Sequence, residues 1–100
     1  MARRDKKAHT EELYKAILTL KTEEECFKFF KDVCSDSELL AMEQRYNVAK
    51  MLEEGKTYLN IQDATNASTA TISRVGRALT DGTGVIGDVL RRLGDENGEA

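Results

Sequence analysis

Residues Thr57 to Leu79 read TYLNIQDATNASTATISRVGRAL, two helix-length segments meeting at an asparagine. In the first, Tyr58, Ile61 and Thr65 place apolar or small side chains on one face. Asn66 then interrupts the run, and asparagine tolerates the left-handed backbone that a tight turn demands. Ser68 is a good N-cap for the second segment, with a hydroxyl able to accept from the bare amides of a first helical turn. Ile72, Val75 and Leu79 follow at i, i+3 and i+7, a stripe that faces back toward the first helix. Thr69, Ala70, Ser73, Arg74 and Arg77 are left facing outward. The spacing predicts a helix-turn-helix over residues 57–79.

That outward set suits a DNA major groove. Small residues at the start of the helix, Ser68, Thr69 and Ala70, allow close approach, and the hydroxyls of Ser68 and Thr69 can bond to base edges or phosphates. The helix N-terminus attracts phosphate, and arginine can fork onto guanine or neutralise backbone charge. The plainer reading is a packing unit, since two short helices at a sharp angle also occur without nucleic acid and a Ser/Thr-rich start is an ordinary cap.

One hundred residues with 40% hydrophobic content make a single small domain, with room for a modest core and none for an enclosed catalytic cleft. No nucleophile, base and orienting group fall at suggestive spacing, so an enzyme is not expected, and no cofactor is implied. Proline is absent, glycine is concentrated after residue 75, and the periodicity before it is helical, which predicts an all-α fold. The formal charge of −3 argues against a nucleic-acid partner only as a sum. From Arg45 to Thr80 five bases face three acids, and the opening ten residues carry Arg3, Arg4, Lys6 and Lys7 against Asp5. The acids are concentrated elsewhere, notably in the tail at Asp95, Glu96 and Glu99. Affinity built this way depends on specific contacts and on two copies of the reader more than on bulk charge.

Cys26 and Cys34 are expected on one helix, about 12 Å apart along its axis at about 1.5 Å per residue, too far to bridge. They read as core thiols in a reducing cytoplasm. With His9 as the sole histidine they lack the close paired spacing of a metal site. No apolar run approaches a membrane span, and no signal peptide is evident.

The remaining helices are punctuated by caps. A first helix is expected from Glu11 to Leu20, capped by Thr10. Thr22 to Glu25 has the capping-box form and starts a second, in which Cys26, Phe27, Phe29, Phe30, Val33 and Cys34 make a wide apolar face. A second box, Ser35 to Glu38, starts a long helix through Glu54, ended by Gly55 in a left-handed conformation. Its apolar residues, Leu39, Leu40, Met42, Tyr46, Val48, Ala49, Met51 and Leu52, occupy several faces. Two such helices offer more apolar surface than a small monomer covers, which predicts an intertwined dimer; the alternative is a compact monomer with a few exposed apolar residues, which are normal on protein surfaces. A final helix over Val85 to Gly94 follows the turn cluster Asp81 to Gly84. Residues 1–9 read as a disordered basic arm, 10–94 as the domain, and 95–100 as a disordered acidic tail.

Arg45 has Ala41, Met42, Val48, Ala49 and Leu52 at neighbouring helical positions. Its stem lies among apolar groups, leaving a guanidinium that either snorkels toward an acid or meets a ligand, being planar and bidentate.

In combination, the box at Ser35 to Glu38, the long helix carrying Arg45, the Glu54–Gly55 stop and the run Ala70-Thr71-Ile72-Ser73-Arg74 resemble the Trp-repressor family, in particular its YerC/YecD-type branch. The resemblance spans Leu13 to Leu93. It implies six helices, an interleaved homodimer, and paired reading heads one DNA turn apart on a palindromic operator. It further implies a cytoplasmic, bacterial-type transcription regulator of the repressor kind. In tryptophan-responsive members two arginines sandwich indole. Arg45 and Arg74 match these, and Thr71 matches a threonine beside the ligand. Val75 departs from the pattern, standing where those members have glycine, and its branched side chain fills space the ring needs. The resemblance therefore carries DNA binding and dimer architecture, and leaves a small-molecule corepressor open with tryptophan disfavoured. The competing class is a protein-interaction module whose helix pair docks a partner and touches no DNA.

Overall fold

The computed structural model describes residues 6–96, with side-chain surroundings for 11–94. Six helices run in order: α1 (Lys6–Ile17), α2 (Glu23–Val33), α3 (Asp36–Glu53), α4 (Tyr58–Thr65), α5 (Thr69–Asp81) and α6 (Val85–Glu96). No strand occurs among the described residues. The chain divides into two compact units, one up to Leu39 and one from Leu40 onward.

In the first unit, α2 starts where its cap predicts. The Thr22 hydroxyl accepts from the Glu25 amide at 3.0 Å, and the Glu25 carboxylate reaches back to accept from the amide of Lys21 at 2.7 Å. Ser35 and Glu38 close a complete capping box at 3.2 and 2.8 Å. The Ser35 backbone amide donating to the Glu38 carboxylate, and secondarily the Ser35 hydroxyl beside it, hold that carboxyl below its usual range. Phe29 and Phe30 meet edge to face with centroids 5.3 Å apart. None of the residues of α2 is buried in the single chain; Phe27 is 51% exposed, and Leu18, just before it, 84%. Cys26 and Cys34 are free thiols, half-buried rather than core, and Cys34 is the C-cap of α2 rather than a member of the helix.

The second unit holds the core. Val48 and Ala49 of α3, Ile61 of α4, Ala67 of the turn, and Ile72 and Val75 of α5 are buried together, with Met51, Leu52 and Leu79 packed against them. Leu40, expected to line α3, is 65% exposed. Between α3 and α4 the chain reverses at Gly55, with φ +81°. The Lys56 amide donates to the Met51 carbonyl and the Gly55 amide to Leu52, both at 3.0 Å. This is the paired 6→1 and 5→2 pattern that a left-handed residue permits at a helix end. A β-carbon on Gly55 would meet no atom within 4 Å, so substitution there costs backbone strain alone. Gly55→Ala is expected to lower stability by about 1 kcal/mol and Gly55→Asn by less, read as shifts in denaturant midpoint at unchanged slope.

Other boundaries differ from the expectation, and α1 ends at Ile17 rather than Leu20. Helix α1 begins at Lys6, so Thr10 lies inside it, and residues 6–9 are helical rather than an arm. Lys6, Lys7 and Ala8 are good helix formers, and a residue that can cap does not end a helix whose upstream neighbours favour it. Residues 1–5 of the expected basic arm lie outside the described residues. At the other end α6 runs through Gly94 to Glu96, since one helical glycine costs only about 1 kcal/mol. Residues 97–100 of the expected acidic tail lie outside the described residues.

Candidate nucleic-acid interface

The turn between α4 and α5 is built from short-range bonds. Thr57 caps α4, accepting from the Asn60 amide at 3.1 Å. Asn66 takes the left-handed conformation, φ 62° and ψ 18°, and its amide closes onto the Gln62 carbonyl at 2.8 Å. The Thr65 hydroxyl donates to the Ile61 carbonyl at 2.7 Å and accepts from the Ala67 amide at 3.2 Å. Ser68 then caps α5, accepting from the Thr71 amide at 3.1 Å while its hydroxyl donates to the Thr71 hydroxyl at the same distance.

Because Ile72 is fully buried and Val75 nearly so, the rotation of α5 about its axis is set by the core. The opposite face carries Ser68, Thr69, Ala70, Arg74 and Arg77, all exposed, with Ser73 half-buried at its edge. Among the described residues neither Arg74 nor Arg77 is engaged in an ion pair; the pairs formed are Lys28–Glu24, Lys31–Asp36 and Arg91–Asp88. Two unneutralised guanidiniums thus lie on the same face as a hydroxyl-rich helix start, a chemistry suited to phosphate and base edges.

Arg45 and Arg74 come together at a cleft of about 380 Å³ in the second unit. Its apolar wall is made by Met42, Tyr46, Ala49, Val75, Ala78 and Ile86. Met42, Arg45, Tyr46 and Ala49 follow at i, i+3, i+4 and i+7 on α3, so the stripe was visible in the sequence. The contribution of Ile86, which arrives after a turn, was not. Thr71 does not line the cleft, and its hydroxyl is engaged with Ser68. Val75 belongs at once to the core and to the cleft wall. No group of three potential metal ligands occurs among the described residues, and none of their helices is long and apolar enough to cross a membrane.

A short helix, a left-handed turn and a capped second helix with a polar outer face define a helix-turn-helix domain. Residues 8–94 match the family model described as Trp repressor protein. The chain belongs to the Trp-repressor family, whose members are DNA-binding regulators rather than enzymes and generally bind as dimers. It is 44% identical over 90 residues, 90% of this chain and 86% of the relative, to the uncharacterized protein YerC of Bacillus subtilis strain 168. Two solved structures are similar throughout. A TrpR-like protein from Eubacterium eligens ATCC 27750 is 50% identical with a TM-score of 0.84, covering 87% of this chain and 90% of that one. A candidate Trp repressor from Staphylococcus aureus is 46% identical with a TM-score of 0.83, covering 86% of each.

Proposed function

We propose that this chain is a cytoplasmic transcriptional repressor that binds a palindromic operator as an interleaved homodimer, reading it with Ser68, Thr69, Ala70, Ser73, Arg74 and Arg77. The observation that carries this reading is the division of α5, with Ile72 and Val75 locked into the core while the opposite face carries arginines outside the ion pairs of the described residues. The dimer rests on apolar side chains left exposed in the single chain, Leu18, Phe27, Val33 and Leu40 among them. Such groups recover free energy only when a partner covers them. The cleft between Arg45 and Arg74 offers an apolar wall and cationic rims, the chemistry of a small amphipathic acid. Val75 in that wall argues against tryptophan.

Selection of bound duplexes from a random pool tests the reading. An enriched inverted repeat, together with sedimentation as a dimer, is the expected outcome, and added tryptophan is expected to leave the enrichment unchanged. Failure to enrich any sequence, with binding insensitive to salt, would favour the protein-docking alternative.

A further inference from the structure

Gln44 makes a bond that the reading chemistry does not use. From α3, its Nε2 donates to the Thr65 carbonyl at 3.0 Å, a half-buried contact across 21 residues of sequence. Thr65 is the last residue of α4, so its carbonyl is one of the helix-end acceptors that lack an intrahelical donor. The peptide it belongs to leads into Asn66, whose left-handed conformation determines where α5 departs. The same residue's hydroxyl spans the turn, from the Ile61 carbonyl to the Ala67 amide. One turn further along α3, Val48 is fully buried in the core that holds Ile72.

We propose that Gln44 is a positioning residue for DNA reading: by holding the Thr65–Asn66 peptide it sets the angle at which α5 meets the groove. This rests on the reading of α5 given above. Apolar packing restrains α5 by non-directional contact, whereas a hydrogen bond to the hinge peptide restrains orientation. Base contacts need that orientation; phosphate contacts reached by long, exposed arginines tolerate its loss.

The test compares wild type with Gln44→Met, which keeps length and removes the donor, and Gln44→His, whose ring N–H can restore a donor. Each is titrated against the selected operator and a scrambled duplex, well below its unfolding midpoint. The expected result is a fall of about fivefold or more in operator affinity for Gln44→Met, with scrambled-duplex affinity changed less than about twofold and partial recovery in Gln44→His. An unchanged ratio of operator to scrambled affinity in Gln44→Met would overturn the positioning role while leaving the reader intact, and so would a fall equal on both duplexes. A wild-type chain that binds neither duplex would remove the reader itself, and this role with it.

Discussion

Replacing Arg74 and Arg77 together by alanine is expected to weaken operator binding by roughly a thousandfold. The proposed dimer loses four guanidiniums, and at the lower bound of about 1 kcal/mol for each arginine contact the total is near three powers of ten. The slope of log affinity against log salt should flatten by nearly one for every phosphate contact removed. The fold should not register the change. Both side chains are exposed and outside the ion pairs of the described residues, and alanine is the best helix former, so helical content and unfolding midpoint should match wild type. Titration at several salt concentrations, beside circular dichroism, checks both halves. Binding that survives intact would show that α5 is not the reader.

Ile72→Ala is expected to act in the opposite way, through the fold first. Its side chain is fully buried, at the meeting of α3, α4 and α5. Truncation removes the transfer free energy of three carbons and leaves a void, for a loss of about 2–5 kcal/mol. Against a typical domain stability of about 5–15 kcal/mol that is a large share. The denaturant midpoint should drop at nearly constant slope, measured at one protomer concentration because the proposed association would contribute to stability. Ile72→Val should cost only about 0.5–1.5 kcal/mol and preserve DNA binding. A midpoint for Ile72→Ala within error of wild type would mean that α5 does not depend on this core.

The parts legible in the sequence share one property, that their determinants are local. Asn66, Ser68 and Gly55 each announce a backbone conformation within a few residues, and α4, α5 and the end of α3 fall where they indicate. Ile72, Val75 and Leu79 repeat with the helical period, so their burial follows from spacing. Boundaries differ from expectation where such a marker is missing or misleading. Lys6 to His9 carry no stop or start signal, and Gly94 sits inside α6 although a glycine there looks terminal. Cys26 and Cys34, expected in the core, are only half-buried, because apolar character alone does not show whether a residue is covered by its own chain. The Gln44 bond leaves no periodic trace, since it joins a side chain to a carbonyl 21 positions away. Of the three residues that the resemblance implies around a ligand, Arg45 and Arg74 line one cleft, while the Thr71 hydroxyl is engaged with its neighbour Ser68.

The absence of any buried residue in α2, with all three phenylalanines on it, bears on gene dosage. If the ring surface that the single chain leaves bare is covered only on pairing, scarce product exists chiefly as unpaired chains, and the population of complete molecules climbs with the square of its abundance. On the proposed repressor reading, silencing would then set in over a narrow window of expression, a threshold written into an aromatic helix rather than into DNA.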